Sequence, residues 1–156
     1  MIATIFVPLD GSAGSAQAAP YAARLARSTG ARLVLCLAAP PAARDDEERA
    51  AHLTGLAARV AASGVAVETA VAAGATPDAL LAAARRRRAD LVVLAADGPD
   101  GAWPSRAARI ADLFLQCAGV PVLLVPASRA APALGEDCLL EVRSTRYEVR
   151  MTSDER

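Results

Sequence analysis

The stretch IFVPLDGSAGSAQAAPYAARLA, residues 5–26, decides how this chain is read. It continues a short apolar run rich in β-branched residues that begins at Ile2, and Pro8-Leu9-Asp10-Gly11-Ser12 then punctuates it. The run predicts a buried strand over Ile2–Val7 followed by an exit loop. Beyond the loop, Ala16, Ala19, Ala23 and Ala26, with Tyr21 and Leu25, recur at helical spacing, while Gln17, Arg24 and Arg27 project elsewhere and Gly30 closes the segment. A helix over Ser15–Ser28 follows, which makes the pair a strand and its crossover.

Downstream the alternation repeats. Leu33–Leu37 is a second apolar run, ended by Pro40-Pro41, and Arg44–Ala62 reads as a helix whose first turns carry Asp45, Asp46, Glu47 and Glu48, where the positive helix end favours acids. After Gly64, Val65–Val71 is a third strand, and Thr76-Pro77-Asp78 supplies an N-cap, a proline at the first helical position and a first-turn acid for a helix reaching Arg88. Asp90–Ala96 is the fourth strand, Trp103–Cys117 the fourth helix and Val120–Val125 the fifth strand. Strands apolar on both faces and separated by helices require right-handed crossovers and a doubly wound parallel sheet, an α/β fold. In such sheets ligands bind beyond the carboxyl ends of the strands at the topological switch point, which is where function is expected.

With 156 residues the chain has room for one domain of ordinary size, placed at 1–127. Residues 128–156 form a C-terminal extension in which Leu139–Arg143 and Arg146–Met151 alternate, predicting an added hairpin before a disordered end. All 17 basic residues are Arg, which excludes Schiff-base chemistry and a P-loop lysine. The formal net charge is +0, so no nucleic-acid or membrane partner is expected. Met1–Pro8 has neither a basic segment nor an adequate apolar run for export, and a cytoplasmic protein is expected. Cys36, Cys117 and Cys138 stand far apart and His52 is the lone histidine, a pattern unlike a metal site or a disulfide framework. With no histidine near Ser12 or Ser15 in the chain, no catalytic triad is expected, and His52 reads as a surface helical residue. The run Arg85–Arg88 reads as a solvated cap on the negative end of a helix, opposite the pocket.

The opening stretch, GARLVLCL in the second strand, VAAGATPDALLAAA leading into ADLVVLA, and the closing GVPVLLVP together resemble the universal stress protein family from Ile2 to Val125. The resemblance implies a sheet of order 3-2-1-4-5, of the adenine nucleotide alpha hydrolase-like kind, and a homodimer formed through the fifth strand; the C-terminal hairpin is expected to form the contact with it or in its place. One branch of that family binds ATP through glycine, two residues, glycine, nine residues, glycine and serine or threonine. Here those positions hold Ala95, Gly98, Ala108 and Arg109, so one glycine of three remains and a long cation replaces the hydroxyl. Glycines let the backbone approach phosphate oxygens and let helix-start amides cradle them. Their loss, with the carboxylates of Asp97 and Asp100 beside the site, opposes phosphate binding unless a divalent cation intervenes.

The nucleoside end matches better. Asp10 falls where ATP-binding relatives place a carboxylate by the nucleoside, and Pro8 and Leu37 correspond to pocket-wall positions. The expected pocket is therefore Pro8, Asp10, Leu37, Leu94 and Gly98, empty or holding a small nucleotide or other small ligand. The leading expectation is a regulatory or ligand-binding module without efficient ATP binding, without a cofactor and not an enzyme. One alternative is an ATP-and-Mg switch with slow or no hydrolysis in which Arg109 replaces the serine. Another is a structural dimerisation protein whose tail hairpin adds strands to a sheet edge.

Overall fold

The computed structural model describes residues 1–39, 46–74, 76–96 and 106–127. Strand β1 (Thr4–Leu9) is followed by the single-turn α1 (Ala13–Ala16) and by α2 (Ala18–Thr29). Then come β2 (Arg32–Ala39), α3 (Asp46–Ala62), β3 (Val67–Ala73), α4 (Pro77–Arg86) and β4 (Leu91–Ala96). Helix α5 (Arg106–Leu113) widens into a π-helical end, Phe114–Ala118, before β5 (Val122–Pro126). The sheet has the expected order, β3-β2-β1-β4-β5, with every neighbouring pair parallel. The anticipated C-terminal hairpin and Cys138 lie outside the described residues.

Alternation along the strands divides the core in two. Ile5, Val7, Leu9, Leu33, Leu35 and Leu37 face α2 and α3, where alanines at 18, 19, 22 and 23 are wholly buried and let the helix sit close to the sheet. Phe6, Val34, Cys36 and Leu94 point the other way, toward Leu80, Leu81, Ala84 and Phe114 on α4 and α5. The rings of Phe6 and Phe114 lie 6.2 Å apart in a tilted pair. Each is fully buried, so truncating either to alanine costs about 3–5 kcal/mol.

All five strands differ from the sequence reading by one or two residues at an end, and two of them, β1 and β3, are displaced whole. β1 begins at Thr4 and continues through Pro8 to Leu9 instead of ending at Val7, because its β2 edge stays in register through Pro8↔Cys36 and Leu9↔Leu37. β3 covers Val67–Ala73, two residues later than Val65–Val71. Val65 is buried, but in the connector that leaves Gly64, whose φ of 83° turns the chain out of α3. Other signals act as read. Thr76 caps α4, its hydroxyl accepting from the Ala79 amide at 3.2 Å, with Pro77 next.

The amino ends of the strands are tied together by polar groups. One oxygen of Asp90 accepts from the amides of Ala3 and Thr4, at 2.9 Å each. Arg87 donates through Nε to Glu68 at 2.9 Å, and Arg32 donates to Thr4 Oγ1 and to the Arg87 carbonyl, at 3.0 Å each. The arginine run therefore does more than end a helix in solvent: Arg87 stitches α4 to β3. Among the described residues no helix is long and apolar enough to cross a membrane.

Candidate functional site

Strand order reverses between β1 and β4, so the switch point lies at their carboxyl ends. Pro8 shapes it. Proline has no amide hydrogen to donate to a ladder. Pairing of β1 with β4 is found at Ile5↔Leu91 and Phe6↔Val92, whereas pairing with β2 runs on to Leu9. The sheet thus parts on the β4 side beyond Phe6 while staying closed on the β2 side.

The chain leaves β1 through a compact polar turn. Asp10 Oδ1 accepts from the Ser12 amide at 2.9 Å, an Asx-type turn, and Gly11 takes φ 85° inside it. Ser12 Oγ then caps α1 by accepting from the Ser15 amide at 3.1 Å. Ser15 Oγ donates to the Ser12 carbonyl at 3.0 Å and accepts from the Asp10 amide at 3.3 Å. At least one carboxylate oxygen of Asp10 is therefore engaged in holding the loop.

Above this turn lies Arg49, from the first turns of α3, which sequence reasoning did not single out. Its Nη2 donates to the Asp10 carbonyl. Its Nε lies only 2.8 Å from where a Cβ on Gly11 would stand, so the guanidinium occupies the space that the glycine leaves open. Leu9, Leu37 and Leu53 form the apolar floor of the crevice, with Ser12, Arg49 and His52 around it, and it has no room left for a water molecule. A separate groove of about 280 Å³ runs alongside between α2 and α3, past Gln17, Pro20, His52, Leu56 and Arg59.

The structure separates the residues named from sequence. Leu37 stands in the crevice wall beside Leu9, on the face toward α2 and α3. Pro8 has the parity of Phe6 and Cys36, and Leu94 packs with those two residues on the opposite face, toward α4 and α5. Asp10 sits at the mouth between the two sets. Gly98, with Asp97, Asp100 and Trp103, lies outside the described residues. Arg109 is exposed on α5, between the buried Ala107 and Ala111.

His52, remote in sequence, is brought by α3 to the same crevice as Ser12 and Ser15, although it makes no hydrogen bond to either. The described residues hold no cluster of three or more groups able to ligate a metal. Burial pushes the Cys36 thiol up to about 11, which keeps it protonated and unreactive at neutral pH.

The model of the universal stress protein family matches residues 1–126. No curated protein matches the sequence. Among solved structures, a universal stress protein in complex with cAMP is 28% identical, covers 81% of this chain and 98% of its own, and superposes with a TM-score of 0.65. A universal stress protein family member from Burkholderia pseudomallei is 27% identical over 80% of this chain and 96% of its own, at a TM-score of 0.61. The universal stress protein of Archaeoglobus fulgidus in complex with dAMP shares the fold at 18% identity, covering 80% and 97%, with a TM-score of 0.60. Motif order, sheet order and these matches agree, and the chain belongs to the universal stress protein family.

Proposed function

We propose that this protein is a regulatory module that binds a nucleoside monophosphate at the carboxyl ends of the strands, beside the Asp10 turn, and binds ATP poorly. The carrying observation is an asymmetry between the two ends of the site. At the nucleoside end, Leu9 and Leu37 supply apolar walls and the Asp10 turn is hydrogen-bonded into place. At the phosphate end, Ala95, Ala108 and Arg109 replace three of the four motif residues, leaving Gly98. An added methyl group obstructs close approach of the backbone to phosphate oxygens and disfavours the positive φ that turns its amides toward them. The similar structure that holds cAMP, a ligand with a single phosphate, supports the same reading.

Regulation through assembly follows from the edge of the sheet. β5 is an edge strand whose Leu123 and Leu124 are 38% and 41% exposed, one on each face. Pairing β5 with a second copy covers these side chains and removes an open edge. Free thiols, with Cys36 buried and Cys117 exposed, suit a reducing cytoplasm.

The test is calorimetric titration of the full chain with AMP, ADP and ATP in the presence of Mg²⁺. AMP is expected to bind about tenfold or more tighter than ATP, the change produced by 1.4 kcal/mol. Micromolar ATP binding, equal to or tighter than AMP, overturns the proposal.

A further inference from the structure

We propose that the groove between α2 and α3 is a second ligand site, one that takes a small aromatic carboxylate. The inference goes beyond the nucleotide reading and does not depend on it. The groove holds about 280 Å³ and is lined by Gln17 and Pro20 on the α2 side and by His52, Gly55, Leu56 and Arg59 on α3. The four α3 residues follow the spacing i, i+3, i+4 and i+7, so they share one face of the helix. Pockets for drug-sized molecules start at about 300 Å³, so this groove suits something smaller.

The lining selects for charge. Pro20 and Leu56 supply apolar surface, Gln17, His52 and Arg59 bring hydrogen-bond donors, and no acidic residue is among the lining residues. The side chains of His52 and Arg59 make no hydrogen bond or ion pair with the described residues, so both are available to a ligand. An anion is what such a lining accepts, and a planar guanidinium grips a carboxylate through two parallel bonds. Seven residues of helix separate His52 from Arg59 by about 10 Å along the axis, room for one ring between them.

Gly55 points to a flat ligand body. It lies in the interior of α3, where glycine is disfavoured more than any residue except proline. Neither common reason for a glycine applies there, since its φ is not positive and a Cβ would meet nothing within 4 Å. What the missing side chain does is leave a bare strip of backbone in the groove wall, on which a planar ring lies flush with Pro20 across from it. Arg59 also complements the negative end of α3, but any solvated cation in the last turn does that without lining a groove.

The experiment titrates the full chain with benzoate and with its neutral isostere benzamide, following by NMR the imidazole signals of His52, the lone histidine. Benzoate is expected to shift those signals saturably, and benzamide to bind about tenfold or more weaker for want of the charge-assisted pair. Arg59→Gln should weaken benzoate about tenfold and leave benzamide unchanged. Gly55→Leu sets a side chain in the groove at a position with open space around it, and should abolish the saturable shift with a Tm no lower than that of wild type. A shift that grows without saturating, an equal affinity for benzamide, or a saturable shift that survives Gly55→Leu overturns the proposal. So does direct competition between AMP and benzoate, which makes the groove part of the nucleotide site, whereas failure of AMP to bind at all overturns the nucleotide reading alone.

Discussion

Replacing Arg88 with glycine is expected to stabilise the protein. Helix α4 ends in a turn in which the Ala89 amide reaches back to the Ala84 carbonyl at 3.1 Å and the Arg88 amide to the Arg85 carbonyl at 3.0 Å. That pair of bonds requires a left-handed residue, and Arg88 supplies it at φ 52°. Helix α2 ends with the same backbone closure, the Ala31 amide on the Ala26 carbonyl at 3.1 Å, but there Gly30 takes the left-handed position at φ 71°. The left-handed region costs a side-chain-bearing residue about 1–2 kcal/mol, because its Cβ crowds the following carbonyl.

Glycine escapes that cost but loses about 0.5–1 kcal/mol through its greater freedom in the unfolded chain. The Arg88 side chain is exposed and makes no hydrogen bond or ion pair, while Arg85 and Arg86 remain to complement the helix end. The net gain expected of Arg88→Gly is therefore about 0.5–1 kcal/mol, or about 1–4 °C in Tm for a chain of this size. Urea unfolding followed by circular dichroism measures it as a higher midpoint at unchanged slope. Arg88→Ala removes the same charge but keeps a Cβ, so it separates the two causes. A midpoint for Arg88→Gly no higher than that of Arg88→Ala refutes the reasoning.

Other predictions concern pH and assembly. The amides of Ala3 and Thr4 hold the Asp90 carboxyl below its usual range. A depressed folded-state value means that the contribution is fully present above about pH 4, the unfolded value, and is lost as pH falls through the folded one. Asp90→Asn should flatten the acid limb of the stability–pH curve below about pH 4, and an unchanged slope in urea midpoints taken from pH 7 downward counts against this. Wild type is expected to have the mass of the proposed β5 dimer in light scattering and Leu124→Arg, which sets a charge on the exposed β5 edge, that of a monomer. A variant with wild-type mass excludes β5 as the contact.

The elements were legible where one local cause sufficed. Thr76-Pro77-Asp78 marks a helix start because capping, a preset φ and the helix dipole all act within one turn. The apolar runs mark strands because a parallel sheet covered on both faces has no polar side to show. Boundaries drifted where a partner decided them. β1 outlasts Pro8 because β2 holds its other edge, a fact about the neighbouring strand rather than about the residues of β1.

The candidate site divides in the same way. Asp10-Gly11-Ser12 is readable as a turn at the end of a strand, since its bonds join residues close in sequence. Arg49 is one of 17 arginines and carries no local signal, because its significance comes from a glycine 38 positions earlier. By itself the sequence determined the strand and helix alternation and the family, both of which depend on residue type and spacing. Only the tertiary structure decided that Leu37 and Leu94 face opposite sides of the sheet, that Asp90 gathers the amides of β1, and that a cation from α3 lies over the Asp10 turn. Each of these is a contact between segments distant in the chain, fixed by how the strands register and how the helices pack on them.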